Sequence, residues 1–128
     1  PADKIAVFGS EPQIYFYSKR RSATGHIYTY GMMEGHEYSL RMQKEMIRDV
    51  ESAKPKFIVH VDIYASWLIF ENSDTAVFRW LSEYLRTGYR LVGVADIISP
   101  DRTVYKWDDD ARNYRVQSRS YVVVFERG

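Results

Sequence analysis

Hydrophobic residues along this chain follow two patterns that predict strands. Nearly continuous apolar runs occupy residues 5–8, 57–62, 89–98 and 120–125, and such runs are typical of strands that are covered on both faces. Residues 26–30 and 103–107 alternate and are rich in β-forming side chains, which predicts two further strands.

Three segments between these strands have helical features. A stripe of apolar residues along residues 36–54 predicts a long helix that ends before Pro55. Residues after Asp74 repeat at helical spacing, and Gly88 is expected to end that second helix. A short helix is predicted at residues 14–17, because Pro12 suits a first helical turn.

Strands that alternate with helices predict an α/β fold. The expected architecture is a three-layer Rossmann-like sandwich with a mostly parallel sheet and antiparallel C-terminal strands. In that sheet the strand at 5–8 lies between those at 26–30 and 57–62, the strand at 89–98 follows, and the last strands join at an edge. The length of 128 residues suits a single domain, residues 1–128.

Composition and charge exclude several classes of protein. The 18 basic and 17 acidic residues balance to a net charge of +1, which argues against a general nucleic-acid binder. The absence of cysteine excludes disulfides, thiol catalysis and cysteine-ligated metals. Eleven tyrosines fit either an interaction surface or an aromatic-rich core. The chain starts at Pro1, so a piece of a longer protein is expected.

The turn between the first strand and the short helix is a candidate anion site. Gly9 and Ser10 form this turn and Glu11 follows it, so free backbone N–H groups at a helix start would favour an anion. Arg20 and Arg21 are expected within reach of the same edge. The turn lacks the dinucleotide and P-loop motifs. A purely steric turn and a solvated basic loop stay as alternatives.

A second candidate region follows the strand at 57–62. Asp62 ends this strand, at the edge where open α/β sheets collect ligands. Tyr64 and Trp67 follow in a very apolar connection. Trp67 is interpreted as a platform for a sugar or lipid, as a buried plug, or as part of a docking surface.

Other polar groups give weaker signals. The run at 108–110 resembles an Asp-x-Asp metal motif, but a solvated acidic turn is favoured. The three histidines lack metal-ligand spacing. Acid–base pairs among Glu11, Glu34, Asp62 and Asp96 stay open, with capping and ion pairing as the favoured roles. The residues therefore predict no metal, no cofactor and no catalytic group.

One stretch of the sequence carries a resemblance to a known family. The run GSEPQIYFYSKRRSATGHIYTY at 9–30, then Met33-Glu34, the helix with Gln43 and Glu45, and Ser66-Trp67 resemble the C-terminal soluble domain of bacterial multi-spanning glycosyltransferases. These enzymes are similar to the dolichyl-phosphate-mannose protein mannosyltransferase family. In that family the catalytic acidic residues belong to a membrane-embedded portion, so the resemblance implies no catalytic residue in this chain.

The resemblance implies an accessory domain at the extracytoplasmic, periplasmic face of the inner membrane. Its partner would be the membrane-embedded portion of the same polypeptide, with a lipid-phosphate or sugar ligand as a further expectation, and homo-oligomers stay open. Gly9, Ser10, Glu11, Arg20 and Arg21 form the expected working surface, with Asp62, Tyr64 and Trp67 nearby. The alternatives are an independent enzyme that uses a nucleotide or nucleotide sugar, and a purely structural docking domain.

Overall fold

The computed structural model describes residues 3–26 and 28–128. Within these residues the chain forms five strands, β1 Ile5–Phe8, β2 Phe57–Asp62, β3 Tyr89–Ser99, β4 Arg102–Trp107 and β5 Tyr121–Arg127. It also forms five α-helices, α1 Gln13–Ser18, α2 Glu37–Ala53, α3 Tyr64–Trp67, α4 Ala76–Leu85 and α5 Asp108–Arg112, and a 3-10 helix at Tyr30–Met33.

The strands form one open mixed sheet in the order β1-β2-β5-β3-β4. β1 and β2 pair in parallel, whereas β2–β5, β5–β3 and β3–β4 are antiparallel. The α/β class is therefore confirmed. The mostly parallel, Rossmann-like sandwich is wrong, because most neighbouring strands in this sheet are antiparallel.

Two segments account for this difference. Residues 26 and 28–29 form no strand, Tyr30 begins the 3-10 helix, and Ile27 lies outside the described residues. The expected second parallel strand is therefore not found there. β5 inserts between β2 and β3 instead of joining at an edge. Its apolar run at 121–125 suits this central position, because a central strand contacts other elements on both faces.

The two long helices are confirmed. α2 runs from Glu37 to Ala53, and α4 begins where the Asp74 carboxylate accepts a hydrogen bond of 2.9 Å from the Ala76 N–H. Gly88 follows α4 with a φ of 148°, a conformation that glycine adopts without strain. Among the described residues, none of the helices has the length and apolarity needed to cross a membrane.

The core is divided between the two faces of the sheet. On one face, here called the α4 face, α2 and α4 pack on β1 and β2 through Phe8, Ile58, Met46, Val50, Val77 and Leu81. On the other face α1 contributes Ile14 and Tyr15, which pack against Ile5, Val7, Val59 and Val61. The carboxyl ends of β1 and β2 lie side by side, because these two strands are parallel.

Candidate functional site

Gly9 ends β1 in a conformation that requires glycine. Its φ is 147°, and a Cβ atom at this position would lie 2.7 Å from the Cβ of Val61. Contacts between real side chains are longer than this, so the turn depends on the close approach of β1 and β2. This geometry gives the Gly9–Ser10 turn a steric role.

Ser10 belongs to a buried group of three hydroxyl residues, Ser10, Thr29 and Ser66, here called the hydroxyl cluster. The Ser10 N–H donates to the Ser66 carbonyl at 3.1 Å, and the Thr29 N–H donates to the Ser10 Oγ at 2.8 Å. The Ser66 hydroxyl donates to the Glu11 carboxylate. The cluster therefore joins the segments that follow β1 and β2 to the 3-10 helix. It also occupies the Ser10 N–H that an anion at this turn would need.

Arg20 and Arg21 lie at the other end of β1. The Arg20 guanidinium is 3.5 Å from the Asp3 carboxylate and 5.2 Å from the ring centroid of Phe57, the first residue of β2. The Arg21 carbonyl accepts from the N–H of Ile5, the first residue of β1. The structure therefore does not bring either arginine together with Gly9, Ser10 and Glu11.

Trp67 and Tyr64 have opposite environments although both belong to α3. Trp67 is 2% exposed, its indole N–H donates to the Val61 carbonyl at 2.7 Å, and its ring packs edge-on against Phe78 with centroids 4.7 Å apart. Tyr64 is 65% exposed. Trp67 is thus a core residue, which was one of its three interpretations, and Tyr64 lies on the surface.

Most of the exposed large hydrophobic side chains among the described residues lie at the carboxyl edge of β1 and β2. They follow these strands in the chain or sit at the start of α2, and we call them the aromatic rim: Tyr28, Tyr30, Tyr38, Tyr64, Leu68, Ile69 and Phe70. Tyr28 and Tyr30 flank Thr29 of the hydroxyl cluster, and their rings stack with centroids 6.3 Å apart. The composition indicated many tyrosines, but it did not place them on one edge.

Asp62 lies at this edge beside two other titratable groups. It pairs with Tyr121 across β2 and β5. Burial and then a hydrogen bond to Asp62 raise the pKa of Tyr121 to about 12. Burial lowers the pKa of His60, and the nearby Asp62 charge opposes this shift only in part. His60 is therefore neutral at pH 7, and Tyr121 keeps its proton.

Asp96 has a structural environment that the sequence did not reveal. It is fully buried and accepts hydrogen bonds from the Tyr114 hydroxyl at 2.7 Å, the Gln117 N–H at 2.8 Å and the Ser118 hydroxyl at 2.5 Å. Burial by itself would raise the pKa of Asp96, but these hydrogen bonds outweigh it and lower the pKa. Asp96 thereby fastens residues 114–118 to β3.

The remaining polar candidates form local pairs. The acidic run at 108–110 forms the first turn of α5, where Asp109 contacts Arg112 at 2.6 Å. His36 contacts Glu34 at 2.7 Å. In the part of the chain that the structure describes, no group of three or more histidine, aspartate or glutamate residues is arranged to hold a metal ion.

Comparison with known proteins identifies no relative. No family model matches the chain, and neither the curated proteins nor the solved structures give a match. The resemblance to a glycosyltransferase domain, which extends from about Ile5 to Phe125 and is sharpest from Gly9 to Tyr30, therefore stays a prediction from the sequence.

Proposed function

We propose that this chain is an accessory domain of a membrane glycosyltransferase that uses a lipid-phosphate-linked sugar donor. In this proposal the domain contacts a ligand or supports assembly of the enzyme. The catalytic residues belong to another part of the enzyme. The observation that supports this proposal is the aromatic rim, because exposed apolar side chains gathered on one edge are typical of interaction surfaces.

The chemistry of the rim favours a partner with both apolar and polar groups. Four of its seven residues are tyrosines, which present an apolar ring and a hydroxyl that forms hydrogen bonds. The hydroxyl cluster beneath it holds the segments carrying Tyr28, Tyr30 and Tyr64 in a fixed arrangement. A surface held in this way loses little conformational entropy on binding.

The proposed partner is the membrane-embedded portion of the same polypeptide. The resemblance supplies this partner and the extracytoplasmic location. A first test is to read the frame upstream of Pro1, which we expect to encode several apolar segments of roughly 20 residues each. An upstream frame without such segments would contradict the proposal.

The second test expresses this chain and the membrane portion as separate polypeptides and measures how much of this chain co-purifies. The double variant Tyr64→Ser/Phe70→Ser removes two rim side chains, and we expect at least a tenfold loss of the complex. The matched control is Phe16→Ser/Tyr17→Ser, which removes one phenylalanine and one tyrosine that are exposed on α1 outside the rim. Equal losses in both variants would contradict a role for the rim.

A further inference from the structure

A groove of about 520 Å³ separates α4 from β5 on the α4 face of the sheet. β5 is the central strand of the sheet, yet its side chains on this face, Tyr121, Val123 and Phe125, are only half-buried. Central strands are normally covered on both faces. The α4–β5 groove is therefore a gap in the packing of this domain. Its lining contains no residue of the aromatic rim.

The neighbouring elements explain why β5 stays open. α2 and α4 cover β1 and β2, whereas residues 114–118 are fastened to Asp96 of β3. Asp96 lies directly opposite Tyr121 and therefore faces the same side. The groove lies between these two covers, above β5, which α4 contacts only in part, through Phe125.

The middle of the groove is apolar. Phe78, Leu81 and Leu85 of α4 form one wall, and Val123 and Phe125 form the floor. From Tyr121 to Phe125 the floor extends for roughly 13 Å, four residue steps of a strand. This length and lining fit an unbranched or lightly branched hydrocarbon chain.

The two ends of the groove carry opposite charges. Arg86 lines one end, and Arg127 lies beyond Phe125 on the same face of β5. Among the described residues neither arginine forms a salt bridge. The Asp62 carboxylate lies at the other end beside Tyr121 and the neutral ring of His60. An anionic group is therefore attracted to the arginine end and repelled from the aspartate end.

We propose that the α4–β5 groove binds an amphiphile with one hydrocarbon chain and one anionic head group. The head contacts Arg86, and the chain lies along β5 above Val123. The chemistry fits a fatty carboxylate and an alkyl phosphate equally, since both pair with a guanidinium.

The experiment is a calorimetric titration of the protein with decanoate, decyl phosphate and the neutral decanol, with the two anions below their micelle concentrations and decanol below its solubility limit. We expect both anions to bind at least about ten times more tightly than the alcohol, because each gains a charge-assisted hydrogen bond. Tighter binding of decanoate would show that the site prefers a carboxylate head group, and tighter binding of decyl phosphate would show that it prefers a phosphate.

Two pairs of variants locate the site. Ser82→Trp places a bulky side chain into the groove from an exposed position of α4, whereas the adjacent Glu83→Trp points away from it. We expect Ser82→Trp to lower the affinity for every ligand at least tenfold and Glu83→Trp to leave these affinities unchanged. Arg86→Gln should remove the preference for anions, and the exposed Arg79→Gln on the same helix should keep it.

Several results would overturn the proposal. The first is that neither anion binds at millimolar concentration and decanol does not bind up to its solubility limit. The second is equal binding of decanol and the anions. The third is an equal effect of Ser82→Trp and Glu83→Trp on binding. A dimer in sedimentation that Ser82→Trp dissociates would show that a second copy covers the groove. None of these results bears on the aromatic rim, because no rim residue is changed.

Discussion

Gly9 and Gly25 show how differently two glycines constrain this chain. Gly9 has a positive φ and faces Val61 at the end of β1, so no space remains for a Cβ atom. Gly25 has no heavy atom within 4 Å of the place where a Cβ would be. The same substitution at these positions therefore tests the close approach of β1 and β2.

We expect Gly9→Ala to lower the free energy of unfolding by about 2–4 kcal/mol, because it adds a steric clash to a backbone conformation that alanine rarely adopts. Gly25→Ala should change it by less than about 1 kcal/mol. Urea denaturation of both variants measures the difference. A Gly9→Ala variant as stable as Gly25→Ala would show that the turn is not packed against Val61.

Asp96 is a second single residue with a large structural effect. Asp96→Asn removes the charge that accepts hydrogen bonds from Tyr114, Gln117 and Ser118. We expect the thermal midpoint at pH 7 to fall by about 5–10 °C. Hydrogen exchange at residues 114–118 should become faster, while that of α2 should change little. Uniform acceleration across the chain would contradict a local role.

At the scale of elements, α2 illustrates how a helix begins and ends. His36 accepts a hydrogen bond from the Ser39 N–H at its start. At its end Lys54 has a φ of 46°, and its N–H donates to the Val50 carbonyl at 2.9 Å. This left-handed position is one that glycine usually occupies, and Pro55 after it prevents the helix from continuing.

Lys54→Gly should therefore stabilise the protein by about 0.5–1 kcal/mol, since it removes the strain of a left-handed lysine. The control Lys44→Gly lies within α2 on the exposed side and should cost about 1 kcal/mol of helix propensity. The urea midpoints of the two variants should move in opposite directions. Destabilisation by both would mean that Lys54 does not end the helix in this conformation.

At the scale of the whole molecule, the half-buried His60 and the buried Asp96 make stability depend on pH. His60 has a lowered pKa, so the unfolded chain binds a proton below about 6.5 that the folded chain does not. Asp96 also has a lowered pKa, so its ionised form stabilises the fold above its ordinary value of 3.8. Both effects reduce stability as the pH falls, but in different ranges.

We expect the free energy of unfolding to decrease from pH 6.5 downward and to decrease again below about pH 3.8, with a slope of at most about 1.4 kcal/mol per pH unit for each group. His60→Gln should flatten the first range and keep the second, and Asp96→Asn should do the reverse. Chemical denaturation across this pH range measures both. If the free energy of unfolding of each variant depends on pH as that of the parent does, His60 and Asp96 are not the groups responsible.

The candidate site was predictable only in part. Apolar runs and polar residues near strand ends identified Gly9, Ser10, Asp62 and Tyr64 as residues of the carboxyl edge. The anion site was inferred from sequence proximity, but the chain turns back after α1 and carries Arg20 to the amino end of β1. Nothing in the sequence indicates the groove, because its two sides come from segments far apart in the chain.

The sequence by itself determined the α/β class, the two long helices and, within a few residues, all five strands that the structure describes. These elements depend on hydrophobic periodicity and local end signals, which neighbouring residues encode. Tyr121–Arg127 is one of these strands, but its place in the strand order was not predicted. Only the tertiary structure decided that this strand lies in the centre of the sheet. It also decided that Ser10 forms hydrogen bonds with Thr29 and Ser66, and that Asp96 binds residues 114–118. Hydrophobic periodicity specifies which face of an element is buried. Strand order and long-range hydrogen bonds depend instead on segments that are far apart in the chain.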